Sequence, residues 1–366
     1  MALNKPEFIS RDVDLIIREM IAQYELSTGK VLQPAHVERL LMDAFAYREG
    51  LVRQAVQDAA LQNLVEFSSA PVLDYLGDLV GVKRLPAEAA KVKLTFTISS
   101  LGYRIIPAGT RATSSDGRIV FQTLEETIAD NVSSIQIECV CTQAGVIGNG
   151  LTAGTINKML DTFAFVSAVT NAETSAGGAD TETDDALRER IKLAPASFSN
   201  AGSRGAYVFW ARTADPSIVD VYVTSLTPGT VNVYPLLAGG QIPNSTILAK
   251  VSAVLNAEKI RPLTDTVVVT APTKIDTSIE LDVVTLTGYD WDDVQARIIA
   301  ALNAYRDKKR SKLGQDITES QIFAAAQVEG VYKLSWPSPW SDIEADANEF
   351  VNITDVTLNN DGSVDG

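Results

Sequence analysis

Residues 177–190 read GGADTETDDALRER, a glycine pair followed by a run of carboxylates that closes on arginines. Asp180, Glu182, Asp184 and Asp185 resemble a calcium loop, which surrounds its ion with hard oxygens at alternating positions. The resemblance fails where such a loop is most demanding: Asp185 stands where it needs glycine, and Ile191 where it needs a bidentate glutamate. A capped helix accounts for the same residues better. Thr181 or Thr183 can accept from the open amides of a first turn, and Asp184 and Asp185 suit the positive end of the helix dipole. Arg188, Arg190 and Lys192 lie toward the negative end, and Pro195 is expected to end the helix. Gly177 and Gly178 then form a flexible entry, and their position between two differently patterned regions makes them the expected interdomain hinge.

Upstream, residues 90–170 alternate in the period of a strand: VKLTFTIS, SSDGRIVFQT and SIQIECVC are separated by glycine-bearing turns. They are expected to form an all-β domain, a small sandwich or barrel. Cys139 and Cys141 share one face of a strand, poorly placed to bridge each other and too few to complete a zinc site. Buried, inert thiols are expected.

Residues 1–85 carry helical signals. An amphipathic stretch follows Ser10 and stops at Gly29, and Pro34 suits the first turn of a second helix running to about Phe67. The apolar stripe of that second helix includes Leu40, Leu41, Ala44, Leu51, Val52 and Ala55, with Arg48 interrupting it. A helix of this length calls for a bundle or coiled-coil partner, though an intramolecular hairpin satisfies the pattern equally. A short third helix is expected from Val72 to Val80.

Downstream, residues 177–366 mix helix and strand. SIVDVYVTS and TVNVYPLL joined through Pro228 and Gly229 read as a hairpin, with helices near 244–258, 292–308 and 319–327. AVLNA at 253–257 recurs as AALNA at 300–304, and a helix before VDVYV resembles one before VYKLSW. These matches suggest two copies of a small α+β unit, 200–290 and 291–366. The fold class expected is therefore α+β and multidomain, with an N-terminal helical segment, a central all-β domain and a C-terminal α+β region of two repeated units.

The chain has 46 acidic against 31 basic side chains, a net charge of −15, so its average surface repels nucleic acid and anionic lipid. No apolar run reaches the roughly 20 residues of a membrane span, and the amino terminus lacks a signal-peptide pattern, so synthesis in the host cytoplasm is expected. His36 is the only histidine, and no GxSxG, GxxxxGK[ST] or HExxH motif occurs. GVIGNG lacks dinucleotide spacing and reads as a turn, and no cofactor or metal is expected. Trp336 and Trp340 in WPSPW could stack on sugar rings, but the two prolines favour a rigid contact loop for another subunit. KKRSK at 308–312 reads as a helix end with cations against the dipole.

The string GGADTETDDALRERIKLAPASFSNAGSRGAYVFWA, residues 177–211, resembles the central segment of baseplate J-like proteins of contractile-tailed bacteriophages. LDYLGDLVGVKRLPAEAAKVKLTFT, IPAGTRATSSDGRIVFQT and AGVIGNGLTAGTIN are similar to the family's earlier signatures, in the family's order. The resemblance covers roughly residues 70–215. It implies a structural, non-enzymatic wedge subunit in the virion tail baseplate, assembled around a central hub and coupling host contact to sheath contraction. Its partners would be other wedge and hub proteins, through the N-terminal helices, and further copies of itself through the C-terminal region. Two other classes stand beside it: a tail-associated carbohydrate or cell-wall hydrolase, and a receptor-binding tail module.

Overall fold

The computed structural model describes residues 3–198, 202–262 and 264–365; residue 200, the expected start of the first repeated unit, lies outside them. The chain divides into two compact units, each described by itself below: the residues up to Arg84 together with Thr183–Lys192, and Leu85–Glu182 together with the residues from Leu193 onward.

The first unit is helical. α1 (Val13–Thr28) is capped by Asp12, whose carboxylate accepts from the Asp14 and Leu15 amides. Gly29 ends it in the left-handed region (φ +70°), with its amide bonded to Glu25 O. α2 (Val37–Gln62) is shorter than expected because the chain breaks into turns after Gln62; α3 (Val72–Asp78) follows. α2 meets the rest of its unit through Ala46, Gly50, Gln57 and Leu61. Gly50 lets α1 approach closely, since a β-carbon there would lie 3.0 Å from Val13 Cγ2. Gln57 accepts from Phe8 N (2.8 Å) and donates to Pro6 O (2.7 Å), pinning the leading segment across the helix.

The second unit opens with eight strands: β1 (Ala89–Ile98), β2 (Tyr103–Ile106), β3 (Arg111–Ser114), β4 (Val120–Thr123), β5 (Thr127–Asp130), β6 (Ser134–Ala144), β7 (Ile156–Met159) and β8 (Val166–Asn171). Six form one antiparallel sheet in the order β7-β3-β4-β6-β1-β8, nearly closed as a barrel, and β2 pairs with β5 separately. Strict alternation along β1 and β6 sends Val92, Leu94, Phe96, Ile137, Cys139 and Cys141 inward, where they pack with Phe121. Burial pushes the Cys139 thiol up to about 12, so it stays protonated and unreactive at neutral pH. Asn171 closes the remaining gap: its side chain accepts from Ile156 N (2.9 Å) and donates to the carbonyls of Thr152 (2.9 Å) and Glu173 (2.8 Å).

α4 (Asp184–Ser197) carries Pro195 within it. The proline does not end the helix as expected. It sits in the last turn, where its missing N–H forfeits only one bond and the helix stops soon after.

Two α+β units follow. In the first, α5 (Arg204–Ala214) leads into β9 (Ile218–Thr227), β10 (Thr230–Leu237), α6 (Ser245–Leu255) and β11 (Thr266–Val269), with sheet order β11-β10-β9. The hairpin β9–β10 turns at Gly229 (φ +78°). In the second, β12 (Thr273–Leu286) leads into α7 (Trp291–Lys309), α8 (Glu319–Ala326), β13 (Val331–Ser335) and β14 (Glu349–Val364), with order β13-β12-β14. β12 is the middle strand of the later sheet, so that unit begins near 273; the sequence reading placed the division at 290. Each sheet has a middle strand, β10 or β12, with an antiparallel neighbour on one side and a parallel one on the other.

Candidate functional site: the 177–192 segment and the exposed helical face

The carboxylates of the 177–190 stretch take separate partners within their own units. In the second unit Asp180 Oδ1 accepts from Val146 N (3.1 Å), and Glu182, buried, accepts from Leu85 N (3.0 Å). In the helical unit Asp184 accepts from Ala70 N (3.2 Å) and from Arg84 Nη2 (2.7 Å), while Arg84 also grips Asp74 with Nε at 2.7 Å. The Ala70 amide, joined by the Arg84 guanidinium, holds the Asp184 carboxyl below the usual carboxylate range despite the opposing effect of burial. Thr183 Oγ1 accepts from Ala186 N (3.3 Å), as one of the two expected caps.

The cations of the same stretch act through carbonyls as much as through the helix dipole. Arg188 donates to Val65 O (2.8 Å) and Ser68 O (2.7 Å), satisfying the turn that follows α2, and also pairs with Asp185. Arg190 donates to Lys83 O (2.6 Å), and Lys192 pairs with Glu66 at 2.5 Å. The first turns of α4 are thus the fastening of the helical unit.

Gly177 and Gly178 belong to the second unit. The flanking backbone is bonded to the barrel: Glu88 N to Ala179 O (2.8 Å) and Lys91 N to Ala176 O (2.8 Å). Asn149 clamps Gly178 itself, accepting from its amide (2.8 Å) and donating to its carbonyl (2.7 Å). Gly177 has φ +86°, and a β-carbon on Gly178 would press into the Gly145 carbonyl oxygen and lie 3.1 Å from Ala90 N. Glycine serves a left-handed turn and a close approach here, a different requirement from the freedom expected of a hinge.

Leu40, Leu41, Ala44, Leu51, Val52 and Ala55 are all exposed on α2, Leu40, Leu41, Leu51 and Val52 at 48–62% of their surface. Val37, Phe45 and Val56 extend the same apolar surface, and a groove between α1 and α2 is lined by Met20, Tyr24, Met42 and Phe45. A contiguous apolar surface of this kind marks an interaction site more often than an ordinary solvated face.

Four family models match the chain in succession: Baseplate J-like N-terminal domain over 39–91, Baseplate J-like protein barrel domain over 93–178, Baseplate J-like central domain over 199–271 and Baseplate J-like protein C-terminal domain over 277–359. The chain belongs to the baseplate J-like family. It is also similar to Baseplate protein J of Escherichia phage P2, 32% identical over 183 residues, a match spanning 50% of this chain and 60% of that relative's length. Among solved structures it resembles a chain of the 6-fold symmetrised cryo-EM structure of the anti-feeding prophage (AFP) baseplate at 16% identity and TM-score 0.41, with 92% of this chain and 89% of that chain covered.

In the baseplate J-like C-terminal domain, Trp336 and Trp340 stack on one another at 4.3 Å and 9°, with Phe323 against Trp336 at 5.5 Å. The pair closes over its own core, leaving Pro337, Ser338 and Pro339 as the exposed tip between them. Lys309 of the basic run turns inward to Asp316 O, and burial lowers its pKa.

A charged tie that sequence reasoning missed joins the residue leading into β1 to α6 inside the second unit. Lys250 of α6 donates to Glu88 and to Asp215 Oδ2 (3.0 Å), on the wall of a cavity of ≈ 240 Å³ also lined by Lys91 and Asn244. Burial pushes Lys250 down, but its bonds to Glu88 and Asp215 outweigh this and hold it above the usual lysine range. Asp215 is 2% exposed and is completed by Ser217 N (2.9 Å). No local pattern signals such a site, because Glu88 and Lys250 are 162 positions apart. No helix among the described residues is long and apolar enough to cross a membrane.

Proposed function

We propose that this chain is a structural wedge subunit of a phage contractile-tail baseplate, assembling around the central hub and coupling host contact to sheath contraction. The observation that carries this reading is the apolar face of α2, displayed outward in a chain of the baseplate J-like family. About half of each side chain is still exposed, so burying Leu40, Leu41, Leu51 and Val52 against a partner would gain roughly 1–1.5 kcal/mol each, against about 4–15 kcal/mol for association. One such face holds a partner weakly by itself and firmly in an assembly where several contacts act together. The role needs binding geometry and no reaction, and it places the chain in the tail with other wedge and hub proteins. The Pro337–Pro339 tip is the surface offered for contact with further copies through the C-terminal region.

Electron microscopy of particles made without the chain tests the proposal. Tails are expected to lack complete baseplates, and supplying the chain with Leu40→Glu and Leu51→Glu is expected not to restore them although the purified variant stays folded. Complete baseplates on sheathed tails in the absence of the chain would overturn it.

A further inference from the structure

β14 forms one edge of the C-terminal sheet over 16 residues, far beyond the usual strand of about 5–6. Its pairing with β12 is parallel, so only alternate residues direct their N–H and C=O toward that neighbour. Thr273 N donates to Asn348 O (3.1 Å), whereas Glu349, opposite Thr273, turns its carbonyl away, to Gly314 N (2.8 Å). Following the register past the extra residue Thr354 puts the backbone groups of Val356, Leu358 and Asn360 on the outer side. Among the described residues no strand pairs with that side. β14 contains no lysine, arginine or proline, the residues with which natural edges are most often blunted.

The solvent face beside this edge is acidic. Asp276, Glu280 and Asp282 of β12 lie across from Asn352, Thr357 and Asn359 of β14, with Asp355 opposite Ser278. Lys274 pairs with Asp276 at 2.8 Å, and Asn359 donates to Glu280 (3.0 Å) and Asp282 (2.9 Å). Glu280, Asp282 and Asp355 form no ion pair among the described residues. A second copy docking here would lay one acidic face beside another, which cross-strand pairing disfavours.

We propose that the outer edge of β14 takes up an extended, lysine- or arginine-bearing strand of a partner protein by strand addition. Backbone bonds to Val356, Leu358 and Asn360 hold the strand, and Glu280, Asp282 and Asp355 select its charge. The added strand extends the sheet without disturbing the helices that cover its other face.

Hydrogen exchange in the full chain tests this with three short synthetic peptides: one alternating lysine with valine, one alternating glutamate with valine, and the lysine peptide N-methylated at every second residue. The lysine peptide is expected to slow exchange at Val356, Leu358 and Asn360 by at least about tenfold, and the other two to leave it unchanged. Asn360→Pro removes an outward N–H from an exposed position and is expected to abolish the effect, with unchanged β12 exchange confirming that the sheet persists. No slowing by the lysine peptide, or equal slowing by its N-methylated form, would overturn the proposal. Protection of the same amides that rises with protein concentration alone would also overturn it, in favour of a second copy.

Discussion

Replacing Gly178 by alanine distinguishes two accounts of the glycine pair. A β-carbon at 178 would press on the Gly145 carbonyl oxygen, lie 2.9 Å from Asn149 Oδ1 and 3.1 Å from Ala90 N. Two of these three neighbours are backbone and cannot rotate away. Relief requires the 176–179 segment to lift, which breaks the Asn149 bonds to Gly178 (2.7 and 2.8 Å) and strains the bridge between Glu88 and Ala179. Overpacking costs about 1–3 kcal/mol and each of the two lost bonds about 0.5–1.5, so Gly178→Ala is expected to destabilise the barrel by about 2–6 kcal/mol. At Gly177 a β-carbon meets nothing within 4 Å, and only the φ of +86° opposes it, a cost of about 1–2 kcal/mol. Urea unfolding of the full chain, followed by hydrogen exchange in β1 and β6, reads both. A pair serving purely as a hinge would leave barrel stability untouched in either variant. Equal stability of Gly178→Ala and Gly177→Ala would refute the close-approach reasoning.

Asn171→Leu removes the bonds that close the barrel and is expected to cost about 2–4 kcal/mol in urea unfolding, with β7 exchanging first. Asp184 has a folded pKa below its unfolded value of about 3.9, so its contribution is fully present above that pH and is lost as pH falls through the depressed value. Asp184→Asn is therefore expected to flatten the acid end of a stability–pH profile for the helical unit while costing about 1 kcal/mol at neutral pH. Lys250→Met leaves buried Asp215 without its cation and is expected to cost about 1–3 kcal/mol, between the limits for exposed and buried pairs, with Asp215→Asn recovering part of the loss in a double-variant cycle. Leu51→Glu on the open face of α2 is expected to change stability by no more than about 0.5 kcal/mol in the same unfolding measurement.

The elements were legible where a local pattern carries the physics. The alternation in SSIQIECVC announces β6 and the inward direction of both cysteines, and Pro228-Gly229 announces the β9–β10 turn. The 177–190 stretch was legible as a helix start with Thr183 as a cap, because capping depends on neighbours in sequence. Its partners were not, since Ala70, Arg84, Val65 and Lys83 are brought to it by the fold. For α2 the apolar stripe looks the same whether it faces a core or a partner. Which face is buried was decided by Gly50 and Gln57, a small residue and a polar one that no hydrophobic pattern selects. Pro195 misled because a proline in a last turn and a proline after a helix leave similar sequences. Residues 177 and 178 read ambiguously because glycine is required by close approach and by mobility alike, and the tight neighbours of Gly178 are brought to it by the fold.

The short sequence matches between the two α+β units have a structural basis that differs from tandem repetition. AVLNA closes α6, running from Ala253 past its Asn256 cap, and AALNA lies within α7, and both helices follow the middle strand of their sheet. Their buried positions agree in spacing: Ile247, Val251 and Leu255 in α6, and Val294, Ile298 and Leu302 in α7. The second match pairs α5 and β9 with α8 and β13, with Tyr207 and Ala211 spaced as Ile322 and Ala326 are, and each strand runs antiparallel to its middle strand. In the first unit this helix–strand pair precedes the middle strand, whereas in the second it follows. The strand orders β11-β10-β9 and β14-β12-β13 correspond in position and direction, so the units share one packing solution reached with their elements in a different chain order. A search for colinear repeats would align the helices and then lose the strands. The two units also differ in what their sheets can do at the parallel edge. β11 is a strand of four residues, and its counterpart β14 is a strand of 16 whose outer side is open. Only the second unit therefore combines the shared packing with an edge long enough to receive another strand.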